Sequence, residues 1–362
     1  MKRLLDSQLI RALARGCAVL GAGGGGDPYL GLLQALQAIE DFGPVPLVDL
    51  DEIPGDSLVM PCGGIGAPTV FIEKIGNGDE GERLREHLEY ATGRKVVALM
   101  ASEIGGSNGL MPVAWAARMG LPLVDADSMG RAFPEVHQAT MHLAGIPASP
   151  AVMTDERGNV VVFHTISGHW MERLQRTAAV EFGGAAASTE FTLTAGQARA
   201  PGVTVRNSVS MAIRIGTAVA DVNGSPIDAL IAAIDGNRLI TGKIVDVDRR
   251  TTSGFARGSV VIEGLGADAG RLVRLELQNE NLVAMERGRV LASVPDLISV
   301  LDSETADAIT TERIAYGQRV TVIAFGCDPV WRTERGITAT GPRSFGYDFD
   351  YVPVEELAGA GD

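Results

Sequence analysis

Three carboxylates, Glu103, Asp125 and Asp127, carry the most plausible chemistry in this sequence. Val96 to Met100 is a short run of β-forming apolar residues ending at Ser102, Glu103 and a Gly105-Gly106 turn. A second run, Leu121 to Val124, ends in Asp125 and Asp127 before Gly130. Between them, apolar residues from Leu110 to Met119 recur at helical spacing and stop at Gly120. Strand, helix, strand implies a parallel pair with a crossover. It puts the three carboxylates at or just beyond strand carboxyl ends, where open α/β sheets bind ligands. Asp125 and Asp127, two apart on an extended segment, face the same side. With Glu103 they can hold a divalent metal. Crowded without a cation, one of them would become a protonated acid. Glu103 can also accept a proton or hydrogen-bond an amide, so Glu103 and Asp127 are catalytic candidates as well as metal candidates. Asn108 can point into the same cleft or cap the following helix.

The spacing beyond Gly130 predicts a helix from Pro134 or Glu135 to Leu143, with His137 near its start and His142 rotated to another face. His137, close in sequence to Asp127, is the candidate base. Arg131 can neutralise an anionic substrate or pair with Glu135. His169 and Trp170 can line an aromatic ligand or pack in a core. Cys62 and Cys327 follow strands but have no adjacent histidine, which makes them weaker nucleophile candidates.

Gly23 to Gly26, followed by Asp27-Pro28, is the other unusual stretch. Four consecutive glycines carry a large conformational entropy cost, which implies close approach of backbone to something. Ligand contact through Gly24, Gly25 and Asp27 is one reading. Tight packing of a helix from Tyr29 to Ile39 is the other. The stretch is neither a dinucleotide fingerprint nor a Walker loop. The segment before it reads as a helix ending near Gly16 and then a short strand, Cys17 to Leu20.

The elements that must position these residues fall into two rhythms. The first half alternates strands and helices. The second carries short strands at Leu239 to Val247, Gly258 to Leu265, Arg271 to Leu277, Leu282 to Met285 and Arg319 to Phe325, with helices near Val205 to Val219 and Ile227 to Ile234. This predicts an α/β amino-terminal domain, residues 1–175, and a β-rich α+β carboxyl-terminal domain, residues 176–362, with the chain able to return to the first domain. A length of 362 residues also favours two cores over one. The net charge of −14 and the lack of a basic patch disfavour nucleic acid and anionic membrane as partners. No apolar run is long enough to span a bilayer. Asp6, Gln8, Arg11 and Arg15 interrupt any export signal, and three cysteines form neither a zinc pattern nor a disulfide framework. A cytoplasmic protein is expected, and the glycine-rich close-packing segments favour a homo-oligomer.

Glu103-Ile104-Gly105-Gly106, the run Asp125 to Glu135 (DADSMGRAFPE) and Gly23 to Pro28 resemble the DUF917 family of S-methyl thiohydantoin desulfurase-like proteins. The resemblance continues through Gln278-Asn279-Glu280-Asn281-Leu282, Pro295-Asp296-Leu297-Ile298 and Phe345-Gly346-Tyr347-Asp348, and so covers nearly the whole chain. It implies a hydrolase-like enzyme acting on a small cyclic metabolite: a cyclic amide, a hydantoin or an S-methyl thiohydantoin. The alternative is a non-catalytic ligand-binding or assembly subunit beside a hydantoinase-like partner. Shared architecture does not fix the reaction.

Overall fold

The computed structural model describes residues 3–220, 222–252 and 255–359. The first half is built on a ten-stranded sheet. Four of its strands, Val45–Val48, Leu123–Asp127, Val96–Ala101 and Leu58–Gly66, run parallel in that spatial order. The helix Met111–Met119 makes the expected crossover between Val96–Ala101 and Leu123–Asp127 and ends at Gly120 in the left-handed region. Beyond Leu58–Gly66 the sheet turns antiparallel through Ala185–Thr189, Ala151–Thr154 and Val160–Phe163.

The second half is a seven-stranded antiparallel sheet running from Arg289–Ser293 at one edge to Leu297–Asp302 at the other. Its long strand Asn237–Thr252 pairs with both Phe255–Gly264 and Arg319–Phe325, with a bulge in each ladder. The α/β and β-rich character expected for the two halves is what the chain adopts. The expected division after residue 175 falls inside the helix Gly168–Glu181. Strands after it, Ala185–Thr189, Leu193–Thr194 and Val205–Arg206, pair with the first sheet.

Two local expectations are corrected. Cys17 to Leu20 is not a strand: the helix Ser7–Leu20 runs through Gly16 and ends at Gly21. Gly16 does not stop this helix because it is where the helix meets Ser208–Ala218. A Cβ on Gly16 would lie 1.8 Å from the Ala212 carbonyl oxygen, and one on Gly216 equally close to that of Ala12. Nor is Pro134 to Leu143 one helix; only Thr140–Leu143 is helical. The backbone N–H groups of the preceding turn donate to side chains instead. Glu135 donates to Gln138 Oε1 at 3.0 Å and Val136 to Glu172 Oε2 at 2.8 Å, which leaves the helical pattern unmade there.

The halves are joined along the glycine-rich loop. Asn281 N donates to the Ala22 carbonyl at 2.8 Å and Thr311 N to that of Gly23 at 2.9 Å. Arg131, fully buried, donates Nη1 to the carbonyls of Pro295 and Asp296, and the Trp331 indole N–H donates to the Met129 carbonyl. A continuous apolar cluster runs from Met100 and Phe133 to Leu282, Val294 and Trp331, and Phe345, Tyr347 and Phe349 of the terminal segment pack on it. Among the described residues no helix is long and apolar enough to cross a membrane.

Candidate functional site

Glu103 leaves the carboxyl end of the strand Val96–Ala101 and turns into a small cavity of about 70 Å³ between the two halves. Asn108, in the turn Gly106–Gly109, holds it there: its Nδ2 donates to Glu103 Oε1 at 2.5 Å while its Oδ1 accepts from Gly64 N at 2.6 Å. Phe133 N donates to the other carboxylate oxygen at 3.2 Å. Asn108 therefore clamps Glu103 to the strand Leu58–Gly66 and does not cap the helix. Burial pushes the Glu103 carboxyl up to about 8, against the opposing pull of these hydrogen bonds.

Facing the same cavity are three further carboxylates, Glu135, Glu190 and Glu280. Glu280 enters from the second sheet at the start of the strand Glu280–Glu286, is 2% exposed, and has one oxygen, Oε2, without a hydrogen-bond partner. Burial and the neighbouring Glu103 charge raise it well above the usual carboxylate range. Glu190 follows the strand Ala185–Thr189, and burial lifts it to about 7. Glu190 escaped sequence reasoning, although a carboxylate directly after the apolar AAAST run was a readable signal. Glu280 was visible only as one of four polar residues in Gln278 to Asn281. The structure separates them: Asn281 braces the turn, while Asn279 (φ +56°) braces it and also borders the cavity beside Glu280.

Asp127 is fully buried, and its Oδ2 accepts from Ile104, Met129 and Gly130 N at 2.8, 3.1 and 2.8 Å. It fastens the loop that carries Glu103 and does not border the cavity. Its own carboxyl is raised to about 7 by burial, opposed by those three donors. Asp125 accepts from Ser210 N and Oγ, at the first turn of Ser208–Ala218. Among the described residues no three of His, Cys, Asp and Glu already meet as metal ligands, so the expected set of Glu103, Asp125 and Asp127 does not assemble into one. The hydrogen bonds explain why: Asp125 holds the start of Ser208–Ala218, and Asp127 holds the loops at Ile104 and Gly130.

Gly25 borders the cavity, and a Cβ on Gly24 would lie 2.0 Å from Glu280 Oε1. The four glycines let Glu280 and the Gly105 turn approach the same stretch of backbone. Asp27 caps the helix Pro28–Phe42 through Tyr29 N and pairs with Arg313, bordering a second cavity of about 300 Å³. The two cavities share Phe71, whose ring lies against Gly64.

His137 lies away from Glu103, in the turn before Thr140–Leu143, with Nε2 3.3 Å from Glu135 Oε2 and its ring beside His142 and His169. Burial, then the two neighbouring imidazoles, hold it down to about 3. Arg131 donates to the backbone carbonyls of Ala132, Pro295 and Asp296 and stacks over Phe133; it does not pair with Glu135. Burial pushes the Cys62 and Cys327 thiols well above their ordinary range, which leaves neither an activated nucleophile.

An α/β sheet and an antiparallel sheet meeting over buried carboxylates define a two-domain architecture. The family comparison places it further. Residues 8–165 match the S-Me-THD-like N-terminal domain and residues 166–354 the S-Me-THD-like C-terminal domain, so the chain belongs to the S-Me-THD-like family. It shares its fold with a crystal structure of a protein from Chromobacterium violaceum (TM-score 0.81, 23% identity, covering 97% of this chain and 100% of that one). Comparison with curated proteins gave no match.

Proposed function

We propose that this chain is a hydrolase-like enzyme acting on a cyclic amide, hydantoin or S-methyl thiohydantoin-related small molecule, with Glu103 and Glu280 as its acid–base pair. The observation that carries this reading is the pairing itself. Two buried carboxyls from different halves, both raised above the usual range, border one cavity, and one oxygen of Glu280 has no partner. Burying an ionisable group carries a desolvation penalty, and carboxyls shifted in this way inside a cavity are candidates for acid–base work. Like-charged neighbours share a proton readily, so one can donate while the other accepts.

The cavity bordering both carboxyls has room for a few water molecules. A five-membered ring would occupy the adjoining larger cavity and present its edge past Phe71. Water activated by the ionised carboxylate attacks an electron-poor ring carbon, and the protonated carboxyl hydrogen-bonds the heteroatom that gains charge. For an S-methyl thiohydantoin, water oxygen bonds to the sulfur-bearing carbon and the carbon–sulfur bond breaks. The two water protons end on methanethiol and on the ring nitrogen, leaving a hydantoin. Asp127 and Asn108 act as positioning residues, holding the Glu103 loop and the Glu103 side chain.

The test is to incubate the purified chain with an S-methyl thiohydantoin and follow methanethiol and hydantoin together with equilibrium binding. Catalytic release of both products supports the enzyme. Saturable binding with no release supports the ligand-binding subunit instead and overturns the proposal.

A further inference from the structure

The cavity of about 300 Å³ is a groove that leads away from the Glu103 cavity. It follows the helix Pro28–Phe42, whose Leu30, Gln34, Gln37 and Asp41 border it at helical spacing and so share one face. From Leu30 to Asp41 that face is roughly 17 Å long. The helix starts just after Gly25 and Gly26, which border the Glu103 cavity, so its first turn is the near end of the groove and Asp41 the far end. Met111, Ala114 and Trp115 of the helix Met111–Met119 border it as well, and Phe71 and Ile75 close on it from the segment after Leu58–Gly66. Ile75 is 61% exposed although it borders a cavity.

The charged groups on this lining are already engaged within the protein. Asp27 pairs with Arg313, and Glu80 accepts from Asn77 N and Gly78 N at 2.6 and 2.9 Å. Lys74 pairs with Glu156 at 2.9 Å and donates to the carbonyls of Phe182 and Ala185. Arg118 pairs with Asp79 at 2.8 Å, and Asp41 accepts from Gln37 Nε2 at 3.0 Å. A charged ligand would have to break one of these pairs or lose its hydration unpaired, which is costly. An apolar one only has to cover Leu30, Phe71, Ile75, Met111 and Trp115.

We propose that this groove is the subsite for the substituent on carbon 5 of a hydantoin-type ring, and that it selects an apolar, uncharged substituent over an acidic or a basic one. The inference rests on the reading above, in which the ring lies at Phe71 with its edge toward Glu103 and Glu280. The groove then receives whatever the ring carries on its other side. Size agrees with this: an apolar cavity of about 150 Å³ already accepts benzene, and this groove has about 300 Å³ for ring and substituent together. Charge agrees too. Four carboxylates, Asp27, Asp41, Glu80 and Glu156, and two cations, Lys74 and Arg118, border the groove, so an acidic substituent meets a lining of its own sign.

The test is calorimetric titration of the full-length chain with hydantoin, 5-benzylhydantoin, hydantoin-5-acetic acid and 5-(4-aminobutyl)hydantoin. The benzyl compound should bind at least about tenfold tighter than each of the others, the lower end for burying a phenyl-sized side chain. The acid is the demanding case, because Arg118 Nε is without a hydrogen-bond partner. Gln34→Trp fills the groove and should erase the benzyl advantage, whereas Leu33→Trp, at the neighbouring 45% exposed position off the groove, should keep it. Ile75→Glu, at an exposed position, puts a charge on the lining and serves the same purpose if Gln34→Trp does not fold. Equal or tighter binding of the acid or the base, a benzyl advantage that survives in a folded groove variant, or no binding of any hydantoin overturns the proposal. Binding is read without turnover, so the two readings fail separately. Selective binding with no product from an S-methyl thiohydantoin keeps the subsite and removes the enzyme, and product release with no selectivity does the reverse.

Discussion

Glu103 carries a pH signature that is separable from turnover. Its carboxyl moves from an ordinary 4.5 to about 8 in the folded chain, because burial disfavours the charged form. A carboxyl raised on folding binds more protons folded than unfolded between those two values, so its contribution to stability falls as pH climbs from about 4.5 to 8 and is level beyond. Glu103→Gln removes that dependence. Its melting temperature relative to wild type should therefore rise steadily from pH 5 to pH 8, and a constant difference would show that Glu103 ionises normally. Asp127→Asn tests a different role. It weakens an acceptor of three backbone N–H groups, which should cost about 1–3 kcal/mol in stability while the protein still folds. Denaturant titration measures it, and an unchanged midpoint would remove Asp127 from the loop's support.

At the scale of elements, the glycine loop makes unequal demands at adjacent positions. Gly25 has φ +73°, and a Cβ there would lie 2.2 Å from the Gly105 carbonyl oxygen, so Gly25→Ala meets both strain and fixed backbone. Gly24 lacks a positive φ, and the three atoms nearest its added methyl, at 2.0, 2.5 and 2.7 Å, all belong to the Glu280 side chain. Gly24→Ala should therefore fold with near-native circular dichroism and lose turnover by about a hundredfold or more as Glu280 is displaced, the lower range for losing an acid–base group. Full turnover in Gly24→Ala would mean that Glu280 need not sit where it does. The same loop shows what sequence could and could not convey. The parallel pair with its crossover helix was legible because its apolar runs, Gly120 and the carboxylates at strand ends all agreed. Two helix boundaries were misread because packing overrode local signals. Gly16 marks a helix crossing, and the Glu135 turn gives its N–H groups to Gln138 and Glu172. Glu103 was found from its place at a strand end. Its partner Glu280 lies 177 residues away on the other sheet, a proximity that no local pattern encodes.

Over the whole molecule, the halves matched by the two family domains are not independent in their folding. The strand Ala185–Thr189, from the second, lies inside the first sheet between Leu58–Gly66 and Ala151–Thr154. Residues 8–165 expressed alone would expose the two strand edges that Ala185–Thr189 covers, that of Val45–Val48, and the apolar surface that Leu282, Val294 and Trp331 cover. That fragment should be insoluble or molten, whereas the full chain should unfold in one calorimetric transition. Two resolved transitions, or a well-dispersed NMR spectrum from the fragment, would contradict this. One cavity walled by both halves is also the basis of the proposed chemistry. The most direct test of it compares wild type, Glu103→Gln and Glu280→Gln for binding and turnover of one S-methyl thiohydantoin. The account predicts methanethiol release by wild type, and in each variant binding within a few-fold of wild type with release reduced at least about a hundredfold. Undiminished release from either folded variant would contradict it.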